Sequence, residues 1–100
     1  ERIEVGDLVV MPAAHEVTLR GERLTLTPKE FDMLEYLARN AGQVVARDRL
    51  LARVWGEEEY IDARTLDVHV RWLREKIEEN PSEPRRLVTI RGRGYILTAG

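Results

Sequence analysis

The sequence predicts an α+β domain, on three observations. Four short apolar clusters with turn residues between them fill the first 26 positions, three helical segments follow, and two alternating runs close the chain. One hundred residues, 43% hydrophobic and 34% charged, form one globular domain with a single core. The elements follow in order.

Ile3–Val5, Leu8–Val10, Val17–Leu19 and Leu24–Leu26 are divided by Gly6-Asp7, Pro12-Ala13-Ala14 and Arg20-Gly21-Glu22. That rhythm is an N-terminal four-stranded antiparallel sheet built as a meander. The first helix starts at Pro28, with Thr27 as N-cap and Glu30 completing a capping box. Phe31, Leu34, Tyr36, Leu37 and Ala38 supply its buried side, and Asn40-Ala41-Gly42 ends it. Val44-Val45 adds one short strand. A second helix runs from about Arg47 to Trp55 with Leu50, Leu51 and Val54 inward; Ala46, at its N-cap position, caps poorly. Gly56 stops it. The third helix opens at Asp62 and ends near Asn80-Pro81, and Leu87–Arg91 pairs with Tyr95–Thr98 as a C-terminal β-hairpin.

The third helix has an outer face that is wrong for a solvent face. At 100° per residue, Leu66, Val70, Leu73 and Ile77 form one narrow core stripe. Opposite them lie Arg64, Val68, Arg71, Trp72 and Glu75, a valine and a tryptophan set among arginines. Arg64 and Trp72 are separated by roughly 12 Å of helix rise, close to the roughly 12 Å width of a DNA major groove. Val68 then meets a thymine methyl, Trp72 packs on sugar, methyl or base edges, and the arginines reach phosphates. The alternative is that Val68 and Trp72 pack on a neighbouring element or subunit. Arg74, at the edge of the core stripe, either contacts DNA, snorkels or pairs with a carboxylate. His69 borders the same stripe, as a phosphate contact or as a half-buried structural histidine. The turn Arg91-Gly92-Arg93-Gly94 needs positive φ and lifts two guanidiniums to a protruding tip, a form suited to the minor groove. Together these elements predict a winged helix-turn-helix with a C-terminal β-hairpin wing, and double-stranded DNA as partner.

Charge distribution agrees although the net charge of −2 does not. Residues 1–60 hold 8 basic and 12 acidic side chains; residues 61–100 hold 8 and 6. Six of the last eight basic groups (Arg64, Arg71, Arg74, Lys76, Arg91, Arg93) lie on the third helix or the turn, and the local field of a face is what a phosphate meets. No cysteine and only two histidines, His15 and His69, give no basis for a disulfide framework or a metal site. No nucleophile sits beside a histidine and no Gly-rich phosphate cradle is present, so neither an enzyme nor a cofactor is expected. No apolar run approaches the roughly 18 residues of a membrane span, and the expected location is cytoplasmic. Glu57-Glu58-Glu59-Tyr60 is either a solvated loop or a docking surface for a basic protein partner. The rival reading for the domain is a winged-helix interaction module that uses Val68 and Trp72 to bind protein.

The chain resembles, over nearly its whole length, the effector domain of OmpR/PhoB-type two-component response regulators. The segments that carry the resemblance are Leu26–Leu34, Val54-Trp55-Gly56, Arg64–Val70, Leu73–Ile77 and Arg91–Tyr95. It implies a helix-turn-helix with an unusually long loop, and sequence-specific DNA binding in transcription regulation, with the third helix in the major groove. Arg64, Thr65, His69, Arg71 and Arg74 then contact phosphates or the groove edge and Val68 contacts bases. Thr89 and Tyr95 hold the DNA backbone beside the wing, Arg91 reaches the minor groove, and Trp55 touches the backbone or serves as a core residue. The loop Gly56–Ile61 would face RNA polymerase, often its sigma subunit. The resemblance also implies a monomer that pairs on repeated half-sites, and a longer regulator with an N-terminal receiver domain phosphorylated through a sensor kinase, this chain being the regulator's C-terminal fragment. Two positions depart from the pattern. Trp72 stands where some members carry a base-reading arginine, and Ala46 replaces a more usual serine or threonine cap.

Overall fold

The computed structural model describes residues 1–56 and 61–100. The strands are β1 (Ile3–Val5), β2 (Leu8–Met11), β3 (Glu16–Leu19) and β4 (Glu22–Arg23), followed by the helices α1 (Pro28–Arg39), α2 (Arg47–Trp55) and α3 (Ala63–Ile77) and then the hairpin β5 (Leu87–Ile90) and β6 (Gly94–Leu97). The first four strands form an antiparallel sheet in the order β1-β2-β3-β4, with Val5 opposite Leu8 and Val10 opposite Val17. All four of these side chains are buried, because the period-2 alternation puts them on one face.

The fourth strand lies at Glu22–Arg23, not at Leu24–Leu26 as the apolar cluster suggested. The turn decides this. Arg20 (φ 53°) and Gly21 (φ 82°) both take left-handed conformations, which places Glu22 opposite Leu19 and Arg23 opposite Thr18. Leu24 keeps one ladder bond, to the Val17 carbonyl at 2.9 Å, and then Leu24 and Leu26 leave the sheet to pack against the core.

Helix α1 starts as its residues require: Thr27 Oγ1 accepts from the Glu30 amide at 3.2 Å and Glu30 Oε1 accepts from the Thr27 amide at 2.9 Å. Phe31, Leu34, Leu37 and Ala38 are buried, joined by Met33 and, less expectedly, by Glu30 at 1% exposure. Lys76 of α3 closes that burial with an ion pair. Burial pushes the Glu30 carboxyl up, but the bonds from Lys76 and the Thr27 amide outweigh it, and its pKa lies below the ordinary value. Ala46 supplies no side-chain cap to α2, and Gly56 ends that helix at φ 83°.

Helix α3 buries Leu66, Val70, Leu73 and Ile77 as the stripe requires. It stops at Ile77, three residues earlier than Asn80-Pro81 suggested. Glu78 leaves the helical conformation (ψ 144°), and its carboxylate then accepts the backbone N–H groups of Arg85, Arg86 and Leu87 at 2.8–3.1 Å. One side chain thus fixes where the chain turns into β5.

Strands β5 and β6 pair with Thr89 opposite Tyr95 and Ile90 opposite Gly94. The hairpin is rooted on the α1–α2 connection. Val45 and Tyr95 exchange backbone bonds of 2.7 and 2.9 Å, and the Gly42 amide donates to Leu97 at 2.9 Å. Of the expected Val44-Val45 strand, only Val45 pairs, as a single bridge; Val44 is exposed. Gly94 sits where the two backbones cross, and a Cβ there would lie 2.1 Å from the Val45 carbonyl oxygen.

Candidate nucleic-acid interface

The N-terminus of α3 is set by Asp62, whose carboxylate accepts from the Arg64 amide at 2.9 Å. With the core stripe turned inward, Arg64, Val68, Arg71 and Trp72 are exposed together on the far side. Val68 and Trp72 remain 40% and 44% exposed, so neither is a core residue. The guanidinium groups of Arg64, Arg71, Arg91 and Arg93 have no carboxylate within 4.0 Å among the described residues.

The wing tip turns at Arg91-Gly92-Arg93, with Gly92 at φ 74° and the Arg93 amide donating to Ile90 at 2.9 Å. Both tip arginines are exposed. Arg74 ties the wing to α3. Its Nε donates to the Leu87 carbonyl at 2.9 Å, one terminal nitrogen donates to Thr89 Oγ1 at 2.8 Å, and its guanidinium lies 6.0 Å from the Tyr95 ring. Thr89 itself is exposed. Arg74 thus pairs with no carboxylate among the described residues and gives two of its N–H donors to the hairpin.

Tyr95 is 3% exposed. Its hydroxyl donates to Asp67 Oδ1 at 3.0 Å and accepts from Arg47 at 2.8 Å, while Arg47 pairs with Asp67 at 2.9 Å. Burial, and then the bond to Asp67, pushes the Tyr95 phenol above its ordinary value, against the opposing effect of Arg47; the hydroxyl keeps its proton and its donor role. One residue from α2, one from α3 and one from β6 are thereby locked together. The single hydroxyl hydrogen of Tyr95, expected from the resemblance at the DNA backbone, is given to Asp67 in this structure.

Trp55 also lies in the core, at 8% exposure, with Lys29 Nζ 5.6 Å from its ring. His69 is half-buried, its Nδ1 2.8 Å from the Thr65 carbonyl and its ring between Trp55 and Trp72. Thr65 is half-buried as well. The acidic loop Glu57–Tyr60, read as a polymerase contact, lies outside the described residues. Among those described, no His, Cys, Asp or Glu group is placed to hold a metal ion, and no helix is long and apolar enough to cross a membrane.

Arg47, Asp67 and Glu78 have structural roles that pattern reading missed. Each looks like a solvated charge by periodicity. The single cue was that Asp67 shares the outer half of α3 with arginines.

The profile of the family described as "Transcriptional regulatory protein, C terminal" matches residues 21–97. The sensory transduction protein RegX3 of Mycolicibacterium smegmatis is 52% identical over 95 residues, which is 95% of this chain and 42% of that protein. The response regulator DrrB, an OmpR/PhoB homolog of Thermotoga maritima, superposes with a TM-score of 0.89 at 39% identity, over 97% of this chain and 44% of its own. The DNA-binding domain of Klebsiella pneumoniae RstA, solved in complex with the RstA box, gives a TM-score of 0.89 at 38% identity over 100% of this chain and 99% of that one. The chain thus spans less than half the length of the longer relatives and all of an isolated domain. By sequence and by architecture it belongs to the transcriptional regulatory protein C-terminal family, as a winged-helix DNA-binding domain of the OmpR/PhoB response-regulator type.

Proposed function

We infer that this domain binds double-stranded DNA sequence-specifically and serves as the output domain of a two-component response regulator. The observation that carries the reading is the exposed set Arg64, Val68, Arg71 and Trp72, whose two guanidiniums form no ion pair among the described residues, on a helix fixed to a wing that carries Arg91 and Arg93. Helix α3 enters the major groove. Arg64, Thr65 and Arg71 bind phosphates while Val68 and Trp72 face base edges and methyls. Arg91 and Arg93 enter the adjacent minor groove and Thr89 borders the backbone. Arg47, Asp67, Arg74 and Tyr95 hold helix and wing in register, and His69 and Trp55 lie behind Trp72. Two solved structures support DNA binding: the RstA DNA-binding domain was solved in complex with the RstA box, and the DNA-binding domain of the response regulator AdeR in complex with an intercistronic region.

The same reading extends to the whole regulator. A receiver domain of the same chain, phosphorylated through a sensor kinase, brings two monomeric output domains together on repeated half-sites in the cytoplasm. Glu57, Glu58, Glu59 and Tyr60 meet RNA polymerase, by way of its sigma subunit. Selection of bound duplexes from random DNA tests the first claim. A recovered motif repeated at about 10–10.5 base pairs is expected, bound more tightly as a pair than as a half-site. Recovery of no motif would contradict sequence-specific binding, and a protein partner held by Val68 and Trp72 would then account for that face. Replacing Glu57, Glu58 and Glu59 with alanine should leave DNA affinity intact and lower activation in reconstituted transcription; undiminished activation would leave the loop as solvated surface.

A further inference from the structure

His69 holds a place on α3 that a simple contact residue does not need. Its ring lies edge-on to Trp55 (centroids 5.0 Å apart, 82° between planes) and tilted against Trp72 (5.1 Å, 57°). Nδ1 is 2.8 Å from the Thr65 carbonyl oxygen, one turn back on the same helix. A carbonyl only accepts, so Nδ1 carries the hydrogen, and in the neutral ring Nε2 is then a bare lone pair. In that neutral form the ring has no second donor for a phosphate oxygen. The three rings form a row from the buried Trp55 through His69 to the exposed Trp72, and among the described residues His69 is the only ring against Trp72.

We propose that His69 is a positioning residue for DNA recognition: anchored on the Thr65 carbonyl and backed by Trp55, it holds the Trp72 indole in one orientation on the outer face of α3, and it acts on DNA affinity through Trp72. This rests on the DNA-binding reading above. An exposed indole is otherwise free to change rotamer, and a side chain ordered before binding loses less freedom on the DNA.

The test combines spectroscopy of the free protein with a double-mutant cycle on DNA. The chain has two tryptophans, so labelling with 5-fluorotryptophan gives two fluorine lines, and Trp72→Phe identifies the one from Trp72. In the free protein, His69→Ala should move the Trp72 line towards that of free 5-fluorotryptophan. On a duplex selected by the unmodified protein, at pH 8, His69→Ala should weaken binding about threefold to tenfold, the scale of leaving one side chain to be ordered on binding. The salt dependence should not change. His69→Phe, which keeps a ring but no N–H or charge, should restore at least half of the lost affinity. In a Trp72→Ala background, His69→Ala should cost nothing further.

An equal loss in both backgrounds, with a salt slope flatter by about one, would make His69 a direct phosphate contact and overturn the proposal. An unmoved Trp72 line in His69→Ala would overturn it as well. Failure of the unmodified protein to retain any duplex would overturn the DNA-binding reading and this inference with it. That outcome is distinct, because the fluorine lines report the row of rings without DNA.

Discussion

The N-terminal sheet and the α3–wing face use arginine in opposite ways. In the sheet, Arg2 pairs with Glu4, Arg20 with Asp7 and Arg23 with Glu16, each at 3.3–3.6 Å. On α3 and the wing tip, Arg64, Arg71, Arg91 and Arg93 have no such partner among the described residues. Exposed ion pairs contribute only about 0–1 kcal/mol each, so the sheet pairs do little for stability. What they do is neutralise the surface where they stand. The lesson is that a chain of net charge −2 still presents a basic face, because 12 of its 18 acidic side chains lie in residues 1–60.

The largest expected effect separates the rigid root of the wing from its free tip. Gly94→Ala drives a methyl into the Val45 carbonyl, so the hairpin must leave the α1–α2 connection; a loss of about 3 kcal/mol or more in denaturant unfolding is expected, with loss of DNA binding. Gly92→Ala meets open space and bears only its left-handed φ, about 1–2 kcal/mol, with the fold retained. Equal costs at the two glycines would mean that the wing is not anchored as described.

Next comes Trp72, the apolar centre of the basic face. Trp72→Ala should change folding stability by less than about 1 kcal/mol, a surface-like cost, and weaken binding to many sequences. Trp72→Arg should add a preference for guanine at one base pair, worth about 1–3 kcal/mol, since only arginine makes the bidentate contact. A large stability loss in Trp72→Ala would show that the indole is structural and would blur the contrast between face and scaffold.

The scaffold has one buried pair whose behaviour sharpens the comparison. The Glu30 carboxyl has a folded pKa below its unfolded value of about 4.3. Its contribution to stability is therefore full above that unfolded value and is lost as pH falls through the folded one. Glu30→Gln should flatten this acid limb and cost about 1–3 kcal/mol at pH 7, as for a broken bond to a charged group. An unchanged acid limb in thermal melts at stepped pH would mean that Glu30 is not the group that titrates.

How much of this was legible in the sequence depends on the range of the interaction. The core stripe of α3, the capping box at Thr27 and Glu30, and the glycine turn of the wing are set by neighbours within one or two turns, and a single sequence displays them. The end of α3 and the position of β4 were misplaced because they depend on Glu78 reaching three amides seven to nine residues on, and on a left-handed Arg20-Gly21 turn. The Arg47–Asp67–Tyr95 cluster joins residues 20 to 48 positions apart, which no periodicity encodes. The exposure of Arg64 and Arg71 is legible because they stand with Val68 and Trp72 opposite the core stripe; Arg47, Asp67 and Glu78, which brace the helix and the hairpin, are not legible in that way.

The salt dependence of DNA affinity tests the basic face most directly. For the selected duplex, log K should fall with log[salt] at a slope of about −4 to −5, as expected if about five phosphates are neutralised per domain. Arg71→Ala and Arg91→Ala should each flatten that slope by about one unit, whereas Arg20→Ala, in the paired sheet, should leave it unchanged. A slope near zero with binding retained, or an Arg20→Ala effect equal to that of Arg71→Ala, would contradict the account.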